Sequence, residues 1–279
     1  MKVHLKPNHS VYSIEIPSIK RITYLALIWI FGVVAFAYPF LFPPSEEIEI
    51  DEFAVYEFVE PEMPDFKAIT DIKARKKAFF DYLLPAVAYQ NRIIYEKRRF
   101  LMGLQDKLKQ QQRFDAQELQ TLETLVKDYR VEPDGDFAAT LSILLKRIDV
   151  IPAELVLMQA ANESAWGTSR FAREGYNFFG LWCFRRGCGF VPRQRNDGAA
   201  HEVAKFKNLR HAVRTYFRNI NRHYAYKDLR NIRLSLREND RRISAVELAK
   251  GLGRYSERGD EYIKELIQMI RYNRKLMTL

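Results

Sequence analysis

The chain is poor in the residues that usually build metal sites. It has two cysteines and five scattered histidines among 279 residues. That scarcity argues against a zinc site made from Cys and His. No Gly-rich phosphate loop, RNA-binding signature or zinc-finger spacing is present, so nothing but net charge points to nucleic acid. No Lys or Arg occurs between Arg21 and Lys67, and no charge of either sign between Ile22 and Phe42.

The remaining composition is that of a folded chain. Hydrophobic residues make up 47% and charged residues 29%, enough to bury a core. The net charge of +10 is unevenly spread. The first 66 residues hold four Lys/Arg and ten Asp/Glu, so 41 basic and 25 acidic residues fall in the rest. A basic body suits an anionic partner, whether a lipid surface, nucleic acid or an acidic wall polymer.

The uncharged run Ile22 to Phe42 is long enough to cross the hydrocarbon layer as a helix. Lys20 and Arg21 precede it, and PPSEEIEIDEF follows. That asymmetry predicts a cytoplasmic N-terminus and an exported body. Ala35-Phe36-Ala37 resembles a signal-peptidase site, so cleavage is the alternative. The expected organisation is a cytoplasmic stub and transmembrane anchor over 1–44 and an acidic, Pro-containing linker over 45–66. A helical segment follows over 67–135, and a C-terminal domain over 136–279. The linker reads as an extended tether.

The helical segment places Phe79, Leu83, Val87, Ile93, Ile94, Phe100, Leu101 and Leu104 near a 3.6-residue period. Pro85 predicts a kink or a new turn. Asp115 reads as the cap of a second helix, and Pro133 and Gly135 mark a break. Pro152 marks a helix start, and Gly167 the end of a helix carrying Leu155 to Ser164.

Glu163 falls near that C-terminus, beside small residues and Trp166. An aromatic and apolar wall raises a carboxyl pKa, and the negative helix end adds to the effect. A proton held near neutral pH can be given to a leaving glycosidic oxygen.

The string QAANESAWGTSRFAREGYNFFGLW around Glu163 resembles glycoside hydrolase family 73, the bacterial glucosaminidases. Gln159, Ala160, Glu163, Ser164, Trp166, Gly167 and Ser169 match the first element of that family's pattern, and Asn177, Phe179 and Gly180 the second. The resemblance covers roughly 136–279. It implies a mainly α, α+β, lysozyme-like fold in which a small β-hairpin lobe, CFRRGCGFVPRQRNDGAAHEVAKF, faces a helical lobe across a glycan cleft. It implies peptidoglycan strands as partner, cleavage of a β-1,4 bond after N-acetylglucosamine, and no metal or cofactor.

Glu163 matches the family's catalytic acid. A second carboxylate is expected some thirty to forty residues on, where Glu202 fits by spacing, with Asp197 and Glu174 as alternatives. Glu202 can instead be a structural partner of His201 or Arg193. Tyr255 matches the tyrosine facing the acid, and Tyr262 the one that follows. Trp166, Asn177, Phe179, Trp182, Tyr216, Tyr224 and Tyr262 are the expected substrate contacts, with Tyr226 another aromatic able to line the cleft. Cys183 and Cys188, five residues apart in an exported chain, predict a disulfide, with two buried thiols as the alternative. Two readings stay open beside hydrolysis. One is a lytic transglycosylase that needs a single acid; the other is a non-catalytic wall-binding protein on the same fold.

Overall fold

The computed structural model describes residues 52–54, 57–132, 135–191 and 201–277. The expected anchor over 22–42 and the alternative acid Asp197 lie outside the described residues. Among those described, no helix is long and apolar enough to cross a membrane.

Asp71 accepts the Ala74 N–H and starts α1, Ile72–Lys109. At 1.5 Å per residue it is about 57 Å long. Pro85 lies inside it, yet the helix continues. A proline there costs about 3 kcal/mol. Leu83, Ala86 and Val87 are buried on both sides of it, and that packing offsets the lost hydrogen bond. Asp115 and Glu118 form a reciprocal capping box at the start of α2, Ala116–Asp128. Asp136 caps α3, Phe137–Arg147.

Helix α4 spans Ala153–Ser164, directly after Pro152, and packs against α1 on one side. Every residue from Glu154 to Ala161 is buried. A helix buried almost all round is a central helix. Arg170–Gly175 forms the short α5. After the sheet come α6 (Leu209–Arg222), a 3-10 turn (Tyr224–Tyr226), α7 (Lys227–Glu238), α8 (Ala245–Ala249) and α9 (Asp260–Asn273). Helices α8 and α9 cover the other sides of α4.

The turn that leads into α4 is fixed electrostatically. Asp149, 2% exposed, takes a bidentate pair from Arg237 and lies within 3.3 Å of Arg98. Arg233 is fully buried and donates to the carbonyls of Lys146, Arg147, Asp149 and Val150. These carbonyls, several of them at the end of α3, would otherwise be orphaned.

The small lobe differs from the expected hairpin. Its three strands are β1 (Trp182–Cys183), β2 (Gly189–Phe190) and β3 (Glu202–Ala204), antiparallel in the order β1-β3-β2. Val203 pairs with Trp182 on one side and Phe190 on the other. The returning strand therefore inserts between the first two, which do not pair with each other. Cys183 and Cys188 are joined by a disulfide. Inside that loop the Glu202 carboxylate accepts the N–H groups of Gly187 and Gly189 at 3.0 and 2.9 Å. The disulfide and the carboxylate together hold β1 and β2 apart by the width of one strand.

The segment expected as a tether is docked over its described part. Phe58 packs on Tyr89, and Glu60 accepts the N–H groups of Leu209 and Arg210 at the start of α6. Phe66 is fully buried among Phe79, Tyr82 and Phe178. The described residues belong to one compact unit, Asp51–Leu279. Its core runs continuously from α1 into the C-terminal helices.

Candidate active site

Glu163 sits one residue before the end of α4. Ala165, Trp166 and Gly167 then follow in left-handed conformation, with φ of 48°, 58° and 81°. Ser164 closes the turn by donating to Ala160 O and accepting from Gly167 N–H. Such a tight reversal needs glycine at its last position for two reasons. The φ is positive, and a Cβ on Gly167 would lie 2.4 Å from the Phe66 ring. Opposite Glu163 stands Gly180, also at positive φ, where a Cβ would come within 3.2 Å of Glu163 Oε2. The carboxyl thus lies between the end of α4 and the backbone that leads into β1.

Four tyrosines surround it. Tyr262 of α9 hydrogen-bonds the Glu163 carboxyl. Tyr216, Tyr226 and Tyr255 are near enough for its charge to act on each of them. Burial raises Glu163 above the ordinary carboxylate range; the Tyr262 hydrogen bond opposes this, and the charge of Glu265 adds to it. Burial holds Tyr216, Tyr255 and Tyr262 well above the usual phenol value, and pushes Tyr226 up to about 12. All four stay neutral phenols at physiological pH.

A buried polar chain fixes which way the hydrogens point. Tyr216 O–H donates to Gln159 Oε1. The amide nitrogen of Gln159 therefore faces Tyr262 and donates to its oxygen at 3.1 Å. The Tyr262 hydrogen is then left for Glu163. Gln159 and Glu163 are four residues apart on α4, so one helix face carries both ends of the chain. Gln159 is fully buried. The one signal for it in the sequence is a glutamine one turn before the acid.

The tyrosines exchange their expected roles. Tyr255 was expected to face the acid. Its hydroxyl instead donates to Phe179 O at 2.8 Å, and its ring stacks on Tyr262 at 5.7 Å. Tyr262 makes the hydrogen bond to Glu163, and Tyr255 backs it.

Five expected substrate contacts are packed instead, four of them buried. Asn177 is buried and spends its amide on Leu181 O, Ala204 O and Leu181 N–H, which ties the loop to β3. Phe179 is buried and stacks on Tyr216 at 4.3 Å. Tyr216 and Tyr262 are buried in the polar chain. Trp166 is half-buried and turned toward α1, between the edges of Phe79 and Phe80, with the Lys76 ammonium over its ring. The aromatic groups whose charge coupling to Glu163 is resolved are tyrosines. Trp182, 49% exposed, and Tyr224, 73% exposed, keep ring surface toward solvent.

Glu202 is 4% exposed, and both carboxylate oxygens are held by backbone N–H groups. That geometry makes it a brace of the disulfide loop; the alternative partner Arg193 lies outside the described residues. Glu174 is exposed on α5. One group with metal-ligand chemistry occurs among the described residues: Cys183, Cys188 and Glu202. Its sulfurs are spent in the disulfide, so no thiolate is available to a metal. The arrangement offers one carboxyl, its pKa raised by burial, with a phenol beside it, between the helical lobe and the backbone that leads into the sheet.

Comparison with known proteins agrees with this geometry. The profile of the glucosaminidase family, described as mannosyl-glycoprotein endo-beta-N-acetylglucosaminidase, matches residues 138–275. Protein bax of Escherichia coli (strain K12) is 32% identical over 217 residues, covering 77% of this chain and 76% of that protein. No solved structure matches. The chain belongs to the glucosaminidase family and is similar to Protein bax over a stretch that extends beyond the family's own domain.

Proposed function

We propose that this chain hydrolyses peptidoglycan strands at the β-1,4 bond after N-acetylglucosamine, with Glu163 as the general acid. The observation that carries the reading is the Glu163 carboxyl itself, raised by burial and hydrogen-bonded by Tyr262. The proton passes from Glu163 to the leaving oxygen as the bond to C1 breaks. With Glu202 committed to Gly187 and Gly189, the attack on C1 falls to the substrate's own acetamido oxygen. Water then opens the cyclic intermediate, its hydroxyl going to C1 and its proton to the Glu163 carboxylate, which restores the acid. Trp182 and Tyr224 offer exposed rings for sugar stacking. Family membership supports the glycosidase class, and the excess of basic residues suits an anionic wall.

The proposal places the catalytic body outside the inner membrane. Its support is the uncharged run Ile22 to Phe42 with Lys20 and Arg21 before it and no basic residue until Lys67.

The commitment of Glu202 also favours a second reading, a lytic transglycosylase, since closing a 1,6-anhydro ring needs no second carboxylate. Mass spectrometry of digested sacculi separates the two. Reducing N-acetylglucosamine ends support hydrolysis, and 1,6-anhydro-muramyl ends support the transglycosylase. Absence of product from wild type, with equal binding of wild type and Glu163→Gln to sacculi, leaves the wall-binding reading.

A further inference from the structure

Next to the acid's position on α4, an open groove of about 520 Å³ lies between α1, α4 and α9. Helix α9 lines it with Glu265, Gln268, Tyr272 and Asn273, a second face at helical spacing next to its core stripe of Tyr262, Leu266 and Ile270. Helix α4 contributes Asn162 and, just past its end, Trp166. Helix α1 contributes Lys76, which lies outside the stretch that the glucosaminidase profile covers.

The Lys76 ammonium is held between two rings, 4.6 Å from the centre of Trp166 and 5.2 Å from that of Tyr272. It donates to Asn273 Oδ1 at 2.9 Å. No carboxylate pairs with it among the described residues. The one acid on the groove wall, Glu265, is paired with Arg258 at 2.7 Å. An ammonium has three donors, and two remain here. The cation covers ring faces that a sugar would otherwise stack on, so the site's chemistry is that of an anion receptor. The amide ends of Asn162 and Gln268 add donors and acceptors of the kind that pair with peptide groups. Contact with the acid's surroundings is direct: Asn162 adjoins Glu163 in sequence, and the Glu265 charge acts on Glu163.

We propose that this groove binds the carboxylate-bearing peptide substituent of a wall glycan, with Lys76 as its charge partner. The proposal rests on the peptidoglycan reading above and adds a requirement to it, that peptide-bearing strands are preferred over bare ones. Lys76 is then a specificity residue supplied by the upstream helix.

Binding is measured with the full chain carrying Glu163→Gln, on soluble glycan strands before and after an amidase removes their peptides. Peptide-bearing strands are expected to bind about ten-fold more tightly, the range of one charge-assisted contact. Adding Lys76→Met, which keeps the stem against Trp166, should bring both ligands to the weaker value; Lys76→Arg should restore the difference. Tyr272→Ala, at a 78% exposed wall position, should reduce it without affecting folding. Equal affinity for the two ligands, or equal losses on both with Lys76→Met, overturns the subsite and leaves the peptidoglycan reading standing. Failure to bind either strand overturns both.

Discussion

Tyr262 directs its phenolic hydrogen at the carboxyl of Glu163 while its oxygen accepts from the Gln159 amide at 3.1 Å. The Glu163 carboxyl is thus oriented from α9 while its backbone belongs to α4. Burial and this hydrogen bond act in opposite directions on the same proton. Burial favours the neutral acid, and the phenol favours the anion left after the proton has gone.

Replacing Tyr262 with phenylalanine removes the opposing influence. The Glu163 pKa should rise, so the alkaline limb of the pH–rate profile moves to higher pH. The maximal rate should fall about ten-fold, within the range of a lost charge-assisted hydrogen bond. A profile with an unmoved alkaline limb would contradict the hydrogen bond's role.

The same burial predicts a stability effect. A carboxyl whose folded pKa is raised binds its proton more tightly in the native state than in the unfolded chain. Its contribution is full below the unfolded value of about 4.5 and is lost as pH rises through the folded value. Glu163→Gln should therefore melt higher than wild type at pH 7, with the gap closing toward pH 4. Thermal melts across that range check it; a variant less stable at pH 7 would count against a desolvated acid.

Glu202→Gln tests the brace. The amide keeps one acceptor but sets an N–H against a backbone N–H, at a loss of about 1–3 kcal/mol. Activity should stay within about ten-fold of wild type, with lower stability of the small lobe. A thousand-fold loss of rate in a folded variant would restore Glu202 to the chemistry.

Asp149→Ala leaves Arg98 and Arg233 without their acid at the turn before α4. Breaking a buried pair costs about 3–5 kcal/mol. For a chain of this size that corresponds to a melting temperature lower by roughly 10 °C. Melting within 2 °C of wild type would show that the arginine–carbonyl bonds alone hold the turn.

Much of this was readable in the chain. The apolar period along α1, the Asp115 cap, Pro152 before α4 and the Cys183–Cys188 pair all depend on local rules, and local rules are what a sequence displays. Glu163 was found because its helix end is marked by a recognisable string. What failed was nonlocal. Pro85 lies on the exposed side of α1, and the helix runs on through it because its neighbours Leu83, Ala86 and Val87 are buried in the core. Asn177, Phe179 and Tyr216 carry the look of binding residues, but each is consumed by a partner far along the chain. The exchange between Tyr255 and Tyr262 depends on how α9 and the turn before it pack against α4, which the spacing of the two tyrosines does not reveal. The insertion of β3 between β1 and β2 follows from a carboxylate reaching back to Gly187 and Gly189, again a contact without a local signature.

The most direct test of the protonated acid compares two leaving groups on Glu163→Gln. With wall glycan, whose leaving oxygen needs a proton, the rate should fall about 10³-fold, as general acid catalysis contributes on that order. With a dinitrophenyl N-acetylglucosaminide oligomer, whose leaving oxygen departs unprotonated, the fall should be roughly ten-fold or less. Equal losses on the two substrates, or wall digestion at the wild-type rate, would contradict the assignment of Glu163 as proton donor.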